Sequence, residues 1–224
     1  MGRPAKHSVD FKARVVLSVL RGEMTGAEAA RRHGVSETSI GKWKEQFVAA
    51  GRAPVRRAPL MDRFLAGQLA CLVDFTLLFA PTVNAYKRLR VGSFAPTASA
   101  WGVDNRRCAI RVVGRGENLR FEHRVGGGDV NPYLVVAAII AAGLHGLQHD
   151  LELPAPAEGP PPVTAPRLPA TLEQARERWL HSQAARAAFG ADVVEHLARA
   201  AQAELDSFAA SVTDWERERG FARL

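Results

Sequence analysis

Cys108-Ala109-Ile110-Arg111-Val112-Val113, then Gly114-Arg115-Gly116, then Leu119-Arg120-Phe121-Glu122-His123-Arg124, and after three glycines Asn131-Pro132-Tyr133: this stretch decides the fold class. In the first segment Ile110 and Val112 alternate with Arg111, the period of two that marks a strand with one buried face. The Gly-Arg-Gly segment is a turn. In the second strand Arg120, Glu122 and Arg124 share one face, so two cations flank one carboxylate. From Asn131-Pro132-Tyr133 a mostly apolar run continues to about Gln148 and predicts a helix. Working outward, Met61 to Phe79 reads as one helix through Phe64, Leu65, Leu69, Leu72, Phe75 and Leu78, stopped by Pro81. Pro154 to Pro169 holds seven prolines and is a loop by composition. Leu172–Ala187 and Ala191–Ala210 read as two further helices. The class is α+β: antiparallel strands plus helices, behind a small all-α head.

The head is set apart by charge. The chain has 224 residues and a net charge of +7, all of it within residues 1–60; residues 61–224 balance to zero. Hydrophobic residues make up 47% and charged residues 24%, which excludes disordered, collagen-like and mucin-like chains. Cys71 and Cys108 are too few for a disulfide framework, and no C-x-x-C is present to hold zinc. The N-terminus lacks the apolar core of a signal peptide. The most apolar stretch, Tyr133 to Leu147, is shorter than the ~20 residues a membrane span needs. A cytoplasmic protein without a membrane partner is expected.

Residues 1–52 carry dense helix signals. Ser8-Val9-Asp10-Phe11 starts a first helix that Gly22 ends. Thr25-Gly26-Ala27-Glu28 is a capping box, opening a helix over Ala27 to His33. Gly34-Val35-Ser36 is a tight turn with its own cap, and Glu37 to about Ala50 forms a third helix that buries Ile40, Trp43 and Phe47. Two short helices joined by such a turn are a helix-turn-helix. Ala29 and Ala30 allow a close crossing. Together with Ile40 and Trp43, these residues resemble the N-terminal helix-turn-helix of insertion-sequence transposases. The resemblance implies that the third helix enters the DNA major groove, with Ser36, Thr38, Ser39 and Lys42 facing bases and Arg3, Lys6, Arg31 and Lys44 near phosphates. Salt-sensitive DNA binding is expected; a three-helix bundle that binds protein is the alternative. No acidic triad for metal follows, so transposition by this chain is not expected. Residues 53–60 hold two prolines and no periodicity, and read as a linker.

Residues 61–224 resemble the C-terminal half of the glutamine synthetase family. Asn84-Ala85-Tyr86-Lys87-Arg88-Leu89 matches its N-S-Y-K-R-L motif, Asp104-Asn105-Arg106 its x-N-R, Arg120 to Arg124 its R-x-E-x-R, and Asn131-Pro132-Tyr133 its N-P-Y. What this implies is ATP-dependent ligation of glutamate to ammonia or an amine through γ-glutamyl phosphate, with Mg or Mn. By resemblance, Arg88 holds the glutamate carboxylate, while Arg106 and Arg124 face the transferring phosphoryl group. Arg111 and Arg120 contact ATP phosphates, and Glu122 is a ligand of one metal ion. Fixed cations suit a reaction in which negative charge accumulates on transferring oxygens. Phe94 stands where the family's flap glutamate is expected, and Gly92-Ser93-Phe94-Ala95-Pro96 looks more like the family's γ-glutamyl-amine ligases, the polyamine type included. No tyrosine follows Tyr133, so the adenylylation-loop tyrosine is absent.

The family's front half, with its Glu-x-Glu metal ligands, has no counterpart in these residues. The expectation is therefore a fusion fragment, inactive alone, with exposed strand edges and an incomplete core, active only if another subunit in a homo- or hetero-oligomer supplies ligands. His145 and His149 stand i, i+4 without an evident third ligand, and are read as helix surface, as are His181 and His196.

Overall fold

The structure is a computed structural model. It describes residues 7–52, 58–90 and 92–223, the side chains of Val9, of residues 48–52 and of Glu117 excepted. Arg3 and Lys6, and residues 53–57 of the expected linker, lie outside the described residues. The chain divides into two compact units, Met1–Val55 and Arg56–Leu224.

In the first unit α1 is Val9–Leu20, α2 Gly26–His33 and α3 Glu37–Arg52. The Ser8 hydroxyl accepts from the Phe11 amide at 3.2 Å. Both arms of the Thr25/Glu28 capping box are formed, at 2.7 and 3.2 Å. Gly34 ends α2 at φ +63°, ψ +36°, a left-handed turn in which any Cβ is unfavourable. Val15, Ala29, Ala30 and Ile40 form the buried centre, with Phe11, Val19, Met24, Val35 and Trp43 packed around it. An aromatic cluster closes one side. His7 stacks on Phe11 at 5.0 Å and meets the edge of Trp43 at 5.6 Å, and His33 meets Phe11 at 5.4 Å.

The second unit opens with α4, Pro59–Cys71, then α5, Thr76–Phe79, and α6, Val83–Arg88. The single helix expected over Met61–Phe79 is interrupted. Four turn residues separate α4 from α5, the Thr76 hydroxyl donates to the Leu72 carbonyl at 2.8 Å, and the Phe75 ring packs edge-on against Trp179 and Phe189, each at 5.7 Å. Helical periodicity survives such a break, because the turn nearly keeps the angular phase of the apolar residues.

The sheet has three strands in the order β1 (Trp101–Val103), β2 (Ile110–Val113), β3 (Arg120–His123). β2 and β3 are antiparallel, as expected, with Arg111 opposite Glu122. β1 was not legible and runs parallel to β2, with Gly102 opposite Arg111. Pleating assigns the two faces. Trp101, Ile110, Val112, Phe121 and His123 lie on one; Arg111, Val113, Arg120 and Glu122 lie on the other. The first face joins the core, where Trp101, Ile110 and Val112 are buried and His123 stacks on Phe79 at 4.3 Å.

α7, Pro132–Gln148, begins as its sequence dictates. The Asn131 side-chain carbonyl accepts from the amides of Tyr133 and Leu134, and Pro132 takes the first turn, where no amide is needed. α7 crosses α4 at backbone distance. A Cβ on Gly67 would lie 2.1 Å from the Ala142 carbonyl oxygen, and one on Gly146 would lie 2.1 Å from that of Arg63. The opposite side of α7 shows Tyr133, Val136, Ile140 and Leu144 to solvent, between 46% and 84% exposed. Apolar surface is thus left uncovered on this helix.

The remaining helices are α8 (Leu172–His181), α9 (Gln183–Phe189), α10 (Ala191–Ala209) and α11 (Asp214–Phe221). The helix expected over Leu172–Ala187 is split at Ser182, which is extended and caps α9 by accepting from the Ala185 amide. Trp179 is fully buried and donates its indole N–H to the Val194 carbonyl at 3.0 Å, pinning α8 to α10.

Candidate anion-binding face of the sheet

The polar face of the sheet carries a chain of alternating charge. Arg111, in the middle strand, donates through Nη1 to Glu122 Oε2 at 2.8 Å. Through Nε it donates to Asp104 Oδ1 at 3.0 Å, and its Nη2 contacts the same oxygen. Arg120 Nη2 reaches Glu122 Oε1 at 3.1 Å. Both carboxylate oxygens of Glu122 are therefore occupied by guanidinium groups. The hydrogen bond from Arg111 holds the Glu122 carboxyl below its ordinary range, and Asp104 and Glu122 push the Arg111 guanidinium further up. Asp104 was not singled out from sequence. It directly follows β1, the strand that sequence patterning missed.

The neighbouring loops hold the other expected arginines. Arg124 follows β3; its amide donates to the Ala109 carbonyl at 2.8 Å, extending the hairpin. Its Nη2 donates to the Phe94 carbonyl at 3.3 Å, and its Nη1 is buried with no hydrogen-bond partner among the described residues. Arg88, at the end of α6, donates to the Val125 carbonyl, beside the glycine loop and Asp129. Asp129 in turn accepts from the Thr82 hydroxyl at 2.6 Å. Arg106 is exposed on the β1–β2 loop. Phe94 is 98% exposed, while Ser93 ties its loop to the carbonyls of Arg88 and Arg90 at 2.7 and 2.8 Å.

Motif residues beside the arginines serve structure. Asn105 donates to the carbonyls of Ala157 and Gly159, both at 2.8 Å, and so fastens the proline-rich loop to the sheet. Tyr86 is buried, and burial raises its phenol. Cys71 is buried too, its thiol pushed up to about 12 by burial first and Asp74 second, which leaves it unreactive.

A hard divalent cation takes about six oxygen ligands. Glu122 offers one carboxylate already spanned by two guanidinium groups. No group of three or more His, Cys, Asp or Glu positioned for a metal occurs among the described residues. The residues present do not by themselves fit a Mg or Mn ion. His145 and His149 lie 4.1 Å apart, ring to ring.

In the first unit Thr38, Gly41, Lys42 and Glu45 lie exposed on the side of α3 opposite Ile40, and Lys44 is exposed on a flank. Arg31 and Arg32 are exposed at the end of α2. Ser36 and Ser39, expected to face bases, bond to each other at 2.9 Å, and the Ser36 hydroxyl accepts from the Ser39 amide to cap α3.

The family of the glutamine synthetase catalytic domain matches residues 34–220, and the family described as Transposase matches residues 1–63. A gamma-glutamylethanolamide synthetase of Streptomyces coelicolor is 47% identical, over 99% of this chain and 52% of its own length. A gamma-glutamylputrescine synthetase of Escherichia coli is 45% identical over 46% of this chain and 22% of its own length. The solved structure of GmaS with ADP superimposes with a TM-score of 0.64 at 27% identity, covering 74% of this chain and 40% of that one. The chain thus spans about half the length of this Streptomyces relative. No helix among the described residues is long and apolar enough to cross a membrane.

Proposed function

Because this chain belongs to the glutamine synthetase family, we propose that residues 61–224 form the arginine-bearing half of an ATP-dependent glutamate–amine ligase site and do not turn over alone. The observation that carries this is the polar sheet face, where Arg111, Glu122 and Arg120 stand in one hydrogen-bonded row. Family resemblance supplies the roles: Arg111 and Arg120 hold ATP phosphates, Arg106 and Arg124 face the transferring group, and Arg88 holds glutamate. The buried Nη1 of Arg124, a donor with no partner among the described residues, fits a role toward an anion, since an unmet buried donor is costly. ATP would supply the phosphoryl group that activates the glutamate side chain. Glu122 would contribute one metal ligand, provided that carboxylates from another subunit of a homo- or hetero-oligomer complete the set. The amine-ligase relatives favour an amine over ammonia as acceptor, and an uncharged Phe94 beside Arg124 agrees with that.

The test is phosphate release by the pure full chain with ATP, Mg, glutamate and, in turn, ammonium, ethanolamine and putrescine. No release above background is expected. Release that requires both ATP and glutamate overturns the inactive reading.

A second function rests on residues 1–52; the expected linker over 53–60 is shorter than that, since α4 begins at Pro59. The formed helix-turn-helix and the exposed cations Arg31, Lys42 and Lys44 support DNA binding. Affinity is expected to fall steeply with added salt, and further when these three residues become alanine. Affinity that ignores both changes rejects DNA binding.

A further inference from the structure

Asp104 is one of two non-glycine residues with positive φ among the described residues, at +49°. Its amide donates to the Val112 carbonyl at 2.9 Å, so the conformation is set by the sheet. The side chain is thereby placed against Arg111 from the β1 side, while Glu122 meets Arg111 from the β3 side. One guanidinium is clasped across all three strands. Its Nε and Nη2 edge is given to Asp104 and its Nη1 to Glu122. The Arg111 side chain is 17% exposed and that of Asp104 73%. The acid stands largely in solvent, while the arginine is largely enclosed.

Asp104, Arg111, Glu122 and Arg120 sum to zero charge. A planar edge bearing two N–H donors is the geometry that grips phosphate, and on Arg111 a carboxylate already fills it. We propose that Asp104 is a specificity-determining residue of this face: it occupies the Arg111 edge that a phosphoanhydride chain would need, and so holds the face closed to free anions. The proposal rests on the reading of this face as a phosphate site, but not on turnover.

A carboxylate about 5 Å from a bound phosphate in a half-solvated site opposes it by roughly a factor of ten. Removing that charge while keeping the shape therefore raises anion affinity. Asp104→Asn does this: asparagine tolerates positive φ and its carbonyl can still accept from Arg111. Asp104→Gly, which keeps the conformation and removes the side chain, is the second variant.

The experiment is calorimetric titration of the full chain with inorganic tripolyphosphate, without divalent cations, at low and moderate salt. Asp104→Asn and Asp104→Gly are expected to bind about tenfold tighter than the unaltered chain, with a steeper salt dependence. Asp104→Glu should behave as the unaltered chain. Adding Arg111→Ala to Asp104→Asn should abolish the gain, a coupling that a merely structural role would not produce. Asparagine and glycine variants that bind no tighter, or no binding by any variant, overturn the proposal. So does binding that survives Arg111→Ala and Arg120→Ala unchanged, which in addition removes the phosphate reading of the face. Phosphate release by the unaltered chain, by contrast, contradicts only the inactive reading above.

Discussion

Lowering the pH from 7.5 to 5.0 should destabilise the second unit by about 2 kcal/mol through a single residue, His123. Its imidazole lies on the core face of β3, stacked on Phe79 at 4.3 Å, and burial brings its pKa down from 6.5 to about 4. In the unfolded chain the ring regains an ordinary value of about 6.5. Between those values the unfolded state binds the proton and the folded state does not. The neutral-ring stability is therefore fully present above about pH 6.5 and is lost as the pH falls toward about 4. With those two values the loss between pH 7.5 and 5.0 is about 2 kcal/mol. Urea unfolding read by tryptophan fluorescence measures it, in a Trp43→Phe background so that the signal comes from the second unit alone, from the buried Trp101 and Trp179 and the exposed Trp215. The partner experiment uses His123→Phe, which keeps a ring against Phe79 and cannot titrate. His145, lowered by partial burial and by His149, acts in the same direction but equally in both proteins, so the difference isolates His123. If both proteins lose the same stability between the two pH values, the placement of His123 against Phe79 on the inner face of the sheet is wrong.

Three further outcomes follow from the geometry. Gly146→Ala should destabilise the second unit by about 2 kcal/mol or more in urea titration, because its Cβ would press on the Arg63 carbonyl oxygen and overpacking outweighs the roughly 1 kcal/mol of helix propensity gained. Gly34→Ala should cost the head about 1 kcal/mol by thermal unfolding; nothing lies within 4 Å of the added Cβ, so the whole effect comes from its left-handed backbone. Ile140→Glu, on the exposed side of α7, should change the melting temperature little, a shift corresponding to about 0.5 kcal/mol or less; a large loss would show that this side is covered in solution.

Much of the head was legible because its signals are local. The Ser8 cap, the Thr25 capping box and the Gly34 turn each work within three or four residues, and the helices begin and end where those residues say. The antiparallel hairpin was legible for the same reason: alternation in Ile110–Val113 and Arg120–His123 needs only a turn between them. The start of α7 was written into Asn131 and Pro132. Where the reading failed, the cause lay elsewhere in the chain. The break after Cys71 coincides with Phe75 reaching Trp179 and Phe189, more than a hundred residues on. The split at Ser182 shows how a residue that can cap a helix also hides inside an alanine-rich pattern. Among the predicted contacts, Ser36 and Ser39 illustrate a conflict: both suit base contact by position on the motif, yet their hydroxyls serve the start of α3.

By itself the sequence determined the local elements, the two-part division of charge and the motifs that carry the family. These depend on side-chain type and spacing along a few turns or one strand, which a linear reading contains. Only the tertiary structure decided that a third strand runs parallel beside the hairpin, and that Asp104, seven positions before Arg111, closes over its guanidinium. A parallel pairing is a relation between segments whose residues show no shared period. Asp104 matters only because β1 lies next to β2, and a charge's partner is set by distance in space rather than by order in the chain.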